Sequence, residues 1–143
     1  MTQILTLLLV LAAGAGLSVE AGLLGPLGEA IGHMSATMSI FLVGSLLLSL
    51  ALIFTRQRGV LQLFAQPRWL LTGGILGPVY VVVISLTTPI IGVGATMVGI
   101  LCGQIGVSML IDHFGAFGTQ KQPVDRYRLL ALVLVAAALW LIR

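Results

Sequence analysis

The sequence predicts an all-α integral membrane protein with five transmembrane helices, and three observations lead to this fold class. Residues 1–19, 30–55, 69–111 and 129–142 contain no Lys, Arg, Asp or Glu, and long apolar stretches without charge are typical of membrane-spanning helices. The composition agrees, because 59% of the residues are hydrophobic and 8% are charged, against roughly 25% charged in soluble domains. Prolines also separate the apolar stretches at regular places, which favours connections there.

The stretch 69–111 is too long for one span. As a single helix it would measure roughly 65 Å at about 1.5 Å per residue, about twice the ~30 Å hydrocarbon thickness. We therefore predict a turn at Thr87–Pro89, because proline lacks the N–H that a helix interior needs. The first stretch lacks a positively charged start and is interpreted as a span rather than a signal peptide. The five predicted helices form one domain, 1–143, and cover about 4–24, 31–54, 69–86, 90–111 and 127–142.

The basic residues predict the orientation in the membrane. The sequence has 7 Lys and Arg residues, and all but Arg143 lie in or directly beside the connections between helices 2 and 3 and between helices 4 and 5. Those six are Arg56, Arg58, Arg68, Lys121, Arg126 and Arg128. Because basic loops stay cytoplasmic, the N-terminus is predicted in the cytoplasm and the C-terminus outside.

Several classes of function are not expected. The net charge of +3 is too sparse for nucleic-acid binding. A single cysteine, Cys102, predicts neither an internal disulfide nor a metal cluster. His33 and His113 fall on opposite sides in the predicted topology and so do not share a metal, and no phosphate-binding glycine loop is present. We therefore expect no enzyme activity, no cofactor and no metal.

Glu20, near the end of predicted helix 1, is the first candidate for function. An ionisable residue in a membrane span is costly and marks a functional site by default. Small residues on the same helix face leave space beside it, so its carboxylate could bind a proton and an organic cation in turn. The alternative is that Glu20 simply reaches the membrane interface.

Three further polar residues are candidates for substrate binding. Tyr80 places a phenol in helix 3, where it could recognise an aromatic or cationic ligand. Gln104 and Ser108 lie four residues apart on helix 4. Gln104 is near the middle of the membrane and needs hydrogen-bond partners there. We expect these residues either to line a substrate cavity or only to form hydrogen bonds to neighbouring helices.

Two acidic residues have simpler interpretations. Glu29 is predicted to be a solvated charge in the first loop. Asp112 is predicted to pair with Arg126 or Lys121 at the cytoplasmic end of helix 4.

Small residues recur at helical spacing in predicted helices 3 and 4. In lipid, such stripes allow helices to pack closely, and the alternative is that they let helices slide during transport. The glycines concerned are Gly73, Gly77, Gly92, Gly99, Gly103 and Gly106.

Four segments together resemble the half-size, five-helix family of the drug/metabolite transporter superfamily. The segments are 41–44, 73–80, 103–104 and 108–115, so the likeness covers nearly the whole chain. The resemblance implies a bacterial inner-membrane protein that forms one half of a ten-helix, inverted-repeat transporter. Relatives usually have a glutamine and then an asparagine at the end of helix 1, where this chain has Glu20 and Leu24.

The predicted function is that of a half-transporter subunit. It moves a small organic cation or polar metabolite by alternating access, in exchange for protons at Glu20. The expected partner is an oppositely oriented five-helix homologue, or otherwise a second copy in an antiparallel homodimer. The alternative function is a non-transporting membrane subunit that stabilises or regulates a partner.

Overall fold

A computed structural model describes residues 2–55 and 65–142, and within these ranges the fold is all-helical, as predicted. Arg56, Arg58 and Arg143 of the orientation argument lie outside the described residues. Four α-helices, rather than the predicted five, are counted: α1 (Thr2–Ile31), α2 (His33–Thr55), α3 (Gly73–Phe114) and α4 (Arg126–Ile142). Short 3₁₀ segments precede and follow α3, at Arg68–Thr72 and Ala116–Gly118.

Three of the helical stretches are long and apolar enough to cross a membrane. They are Gln3–Ile31, His33–Thr55 and Trp69–Phe114. α4 is shorter, at 17 residues. The chain is therefore a membrane protein by the length and composition of its helices.

The first helix is longer than predicted. α1 continues through Pro26 to Ile31, because a membrane helix can accommodate a proline that would end a helix in water. Glu29 is consequently an exposed helical residue rather than a loop residue. The connection to α2 is Gly32 alone, with a φ of 88°, a conformation that glycine adopts without steric cost.

The predicted turn at Thr87–Pro89 is wrong, because α3 runs through these residues without ending. The helical geometry breaks three positions later, at Gly92, where φ is 81° and ψ is 160°. Residues that carry a Cβ essentially cannot adopt this backbone conformation, so the break falls on the glycine. Gly92 divides α3 into a first segment, 73–91, and a second segment, 93–114.

The chain separates into two compact units, Met1–Pro89 and Ile90–Arg143. In the first unit the buried positions are mostly small, including Ala21, Ala36 and Ser85, beside the larger Leu24. Small residues let helix backbones approach closely, which is the main source of packing energy in lipid. In the second unit the buried residues are Ala95, Thr96 and Met109. The prediction of one domain over 1–143 stays a prediction.

The predicted packing glycines differ in their surroundings. A Cβ built on Gly77 would lie 3.4 Å from the Phe41 ring of α2, and one on Gly99 would lie 3.8 Å from Leu139 of α4. Gly77 and Gly99 thus face neighbouring side chains at close range. The other four glycines have no such neighbour within 4 Å among the described residues: Gly73, Gly92, Gly103 and Gly106. The packing role of the set as a whole stays a prediction.

Candidate functional site

Glu20 lies on α1 in the first unit, and its side chain is half-buried. Its neighbour Ala21 and Leu24, one turn on, are almost fully buried. No hydrogen bond or ion pair involves the Glu20 carboxylate within the described part of the chain. A carboxylate in apolar surroundings is stabilised by a proton or a cation.

A cavity of about 210 Å³ brings Glu20 and Tyr80 together. α1 supplies Glu20 and three apolar residues, and the first segment of α3 supplies Tyr80 and two more apolar residues. The two polar side chains line the same cavity. The residues from α1 and α3 that line the cavity are Leu17, Glu20, Ala21, Leu24, Tyr80, Val81 and Ile84.

The Tyr80 hydroxyl is buried and has no hydrogen-bond partner among the described residues. Leaving such a group unpaired costs about 1–3 kcal/mol, so native proteins rarely retain one without a reason. A phenol beside a carboxylate can donate a hydrogen bond to it or interact with a cation that it holds. The geometry therefore suits the binding of a proton or a compact cationic group.

Glu20 also lines a second recess. It is a groove of about 730 Å³ between α1 and α2, and Glu20 and Leu27 form its α1 side. Residues between Ser39 and Leu48 form the α2 side. Glu20 thus stands between a small cavity on the α3 side and a larger groove on the α2 side.

Gln104 and Ser108 lie on the second segment of α3, in the second unit. Both side chains are exposed. The Ser108 hydroxyl donates a hydrogen bond to the Ile105 carbonyl of its own helix, at 3.0 Å. Four of the well-formed cavities among the described residues are the two that contain Glu20, one lined by α2 and the first segment of α3, and one in the second unit. Neither Gln104 nor Ser108 lines any of these four cavities. Their role in substrate binding stays a prediction.

Asp112 pairs with Arg128, and not with the predicted Arg126 or Lys121. Arg128 donates to Asp112 Oδ2 at 2.8 Å and to the Gln122 side-chain oxygen at 2.5 Å. Arg126 lies instead over the Tyr127 ring, with 5.2 Å between its guanidinium carbon and the ring centre. Arg128 reaches Asp112 because the loop folds back on it, as the 2.9 Å bond from Gln122 N to the Asp112 carbonyl indicates. The predicted pairing with Arg126 or Lys121 is therefore wrong.

A polar junction that the sequence did not reveal joins α1, α2 and α3. His33 Nδ1 lies 2.8 Å from the Ser85 hydroxyl, and this hydroxyl also lies 3.4 Å from the Leu24 carbonyl. Ser85 is fully buried, so its two partners satisfy a group that would otherwise be costly. The residues are far apart in the sequence, and only the helix packing brings them together.

The junction requires glycine at position 28. A Cβ built there would overlap the Ser85 hydroxyl and lie 2.5 Å from His33 Nδ1. A Cβ at this position would displace at least one of these side chains and disturb the His33–Ser85 bond, so the close approach of the three helices favours glycine here.

We expect Gly28→Ala to lower the thermal stability of the protein in detergent. Overpacking of this kind costs about 1–3 kcal/mol, which corresponds to a fall in Tm of roughly 3–10 °C. The measurement is thermal unfolding followed by intrinsic fluorescence. Gly14→Ala is the matched control, because a Cβ at position 14 of the same helix meets nothing within 4 Å. A Gly28→Ala protein as stable as the Gly14→Ala protein would contradict the prediction.

Among the described residues, no group of three or more His, Cys, Asp or Glu side chains could hold a metal ion.

Comparison with protein families gives a match that covers residues 5–141 and is described as "Putative inner membrane exporter, YdcZ". No curated protein and no solved structure matches the chain.

Proposed function

Because the chain belongs to the inner membrane exporter family YdcZ, we propose that it is a half-transporter subunit of the drug/metabolite transporter superfamily. Its cargo is a small organic cation or polar metabolite, which it moves by alternating access. The observation that carries this proposal is the unpaired Glu20 carboxylate beside the buried, unpartnered Tyr80 hydroxyl. Membership of the family supports the transporter role, and the cavity supports the identity of the binding residues.

Proton coupling follows from the chemistry of one carboxylate. A proton and an organic cation both neutralise Glu20, but they cannot occupy it together. Uptake of a proton from one side therefore releases the cation, and loss of the proton restores the site. Since the charged, empty carboxylate is the costly form in a membrane span, each conformational change occurs with one of the two ligands bound.

The proposed membrane arrangement has five spans. α1, α2, the two segments of α3 on either side of Gly92, and α4 supply them. α4 measures about 25 Å at the standard rise, and the arginines at its ends can reach the interface. The N-terminus is placed in the cytoplasm and the C-terminus outside, on the distribution of basic residues.

The binding pathway of such a half-transporter is completed by an oppositely oriented second half. Gln104 and Ser108, on the second segment of α3, are proposed as further substrate-binding residues. Their exposed side chains are consistent with contact to the partner or to the substrate.

Cysteine accessibility tests transport against the alternative of a non-transporting membrane subunit. In a Cys102→Ser background, Glu20→Cys is labelled with a membrane-impermeant maleimide in sealed vesicles of both orientations. A transporter exposes position 20 to water, so we expect labelling from at least one side on the order of tenfold faster than at a lipid-facing position. The control is Val10→Cys, on the same helix and 64% exposed. Equally slow labelling at positions 10 and 20 from both sides would support the non-transporting subunit instead.

A further inference from the structure

The groove between α1 and α2 combines an apolar wall with a single charge. Its lining includes Leu27, Phe41, Val43 and Leu47, and Glu20 is the charged residue among those that line it. The groove is therefore apolar along its length and negatively charged where it meets Glu20.

The two serines of the groove do not add polar binding capacity. The Ser39 hydroxyl donates to the Ala36 carbonyl at 2.7 Å, and the Ser45 hydroxyl donates to the Leu42 carbonyl at 2.9 Å. Both hydroxyls are satisfied within α2 itself. An occupant with several hydrogen-bonding groups would leave those groups unpaired against this wall, which is costly.

The two recesses that Glu20 lines differ in size, and the difference determines how large a ligand each can hold. Sites for drug-sized ligands measure about 300–1,000 Å³, and the groove, at about 730 Å³, lies within this range. The cavity beside Tyr80, at about 210 Å³, is too small for such a ligand. It has room for several waters, each of which takes about 30 Å³ in the liquid.

We infer that the groove binds the apolar body of an amphiphilic organic cation whose charged group pairs with Glu20. The inference rests on the proposed function and narrows its substrate class, because it selects an amphiphilic cation over a polar metabolite. A lipid acyl chain fits the apolar wall but supplies no positive charge to pair with the Glu20 carboxylate. A lipid phosphate is negatively charged and is repelled by that carboxylate.

Binding to the protein in lipid nanodiscs tests the inference. The probes are tetraphenylphosphonium, a large apolar cation, and tetramethylammonium, a compact one, with empty nanodiscs as the background. Triphenylphosphine oxide is the neutral comparator. We expect tetraphenylphosphonium to bind about tenfold more tightly than tetramethylammonium, and the neutral compound not to compete with it.

Gly44→Leu tests the groove without changing Glu20. Gly44 lines the groove, and a Cβ there meets nothing within 4 Å, so a leucine side chain has space to enter it. We expect about a tenfold loss of tetraphenylphosphonium affinity with tetramethylammonium binding unchanged. Gly14→Leu is the same substitution at an open position of α1 that lines none of the four cavities, and it should leave both affinities unchanged.

The outcomes separate the inference from the proposed function. If Glu20→Gln abolishes binding of both cations but Gly44→Leu affects neither, the groove is not the site and the role of Glu20 in the proposed function stands. Native mass spectrometry that shows a lipid lost on Gly44→Leu, with cation binding intact, would assign the groove to lipid and overturn the inference. If Glu20→Gln changes neither affinity, the cation-binding role of Glu20 in the proposed function fails as well.

Discussion

Glu20→Gln is expected to reduce proton-coupled export to background while leaving the protein inserted in the membrane. Glutamine keeps the size and hydrogen-bonding capacity of the side chain but cannot take up or release a proton. It also removes the negative charge that pairs with the cation. Export is measured as substrate accumulation in everted membrane vesicles on imposing a pH gradient, with substrates found by screening cells with and without the protein.

The matched control is Glu29→Gln. Glu29 lies on the same helix, but its side chain is exposed and lines none of the four cavities. The same chemical change there should leave export and its pH dependence close to wild type. Wild-type export by the Glu20→Gln protein, with unchanged pH dependence, would mean that Glu20 is an interfacial residue.

The helical fold could be predicted from the sequence because the bilayer constrains it so strongly. A backbone in hydrocarbon must satisfy its own hydrogen bonds, so a charge-free apolar stretch has little alternative to a helix. The sequence predicts helix boundaries less well. It places helix ends beside Pro26 and Pro89, but a proline removes only one backbone bond and a membrane helix can continue past it.

The break between α1 and α2 and the break within α3 fall on glycines with positive φ, Gly32 and Gly92. The sequence did not identify these two among the 18 glycines of the chain. A glycine permits a positive φ without requiring it, so only the surrounding packing selects which one adopts it.

For the candidate site, the sequence indicated the residue types but not their contacts. Glu20 and Tyr80 could each be selected because a charge or a phenol in a membrane span needs an explanation. That they share a cavity depends on how α1 packs against the first segment of α3. His33 and Ser85 carry no such signal, because a serine in a helix can bond to its own backbone. Only the overlap at Gly28 shows how closely the helices approach.

The basic residues also bear on the oligomeric state of the transporter. An inverted-repeat transporter needs one half upside down relative to the other, and a five-span chain inserted in one orientation cannot provide both halves. A sequence inserts in both orientations only when its loops are nearly balanced in Lys and Arg. Six of the 7 basic residues here lie on one predicted side. One orientation is therefore expected for essentially all copies.

We accordingly expect the chain expressed alone, in a host that lacks its relatives, to give no export above the Glu20→Gln background. Co-expression with a five-helix homologue of opposite charge bias should restore export, because the second half completes the pathway. Reporter fusions after Arg143 check the premise: alkaline phosphatase should be active there and green fluorescent protein dark. Cross-linking in reconstituted vesicles then identifies the active pair. Antiparallel dimers of this one sequence that transport on their own would contradict the need for a distinct partner, and would mean that helix packing overrides the charge bias.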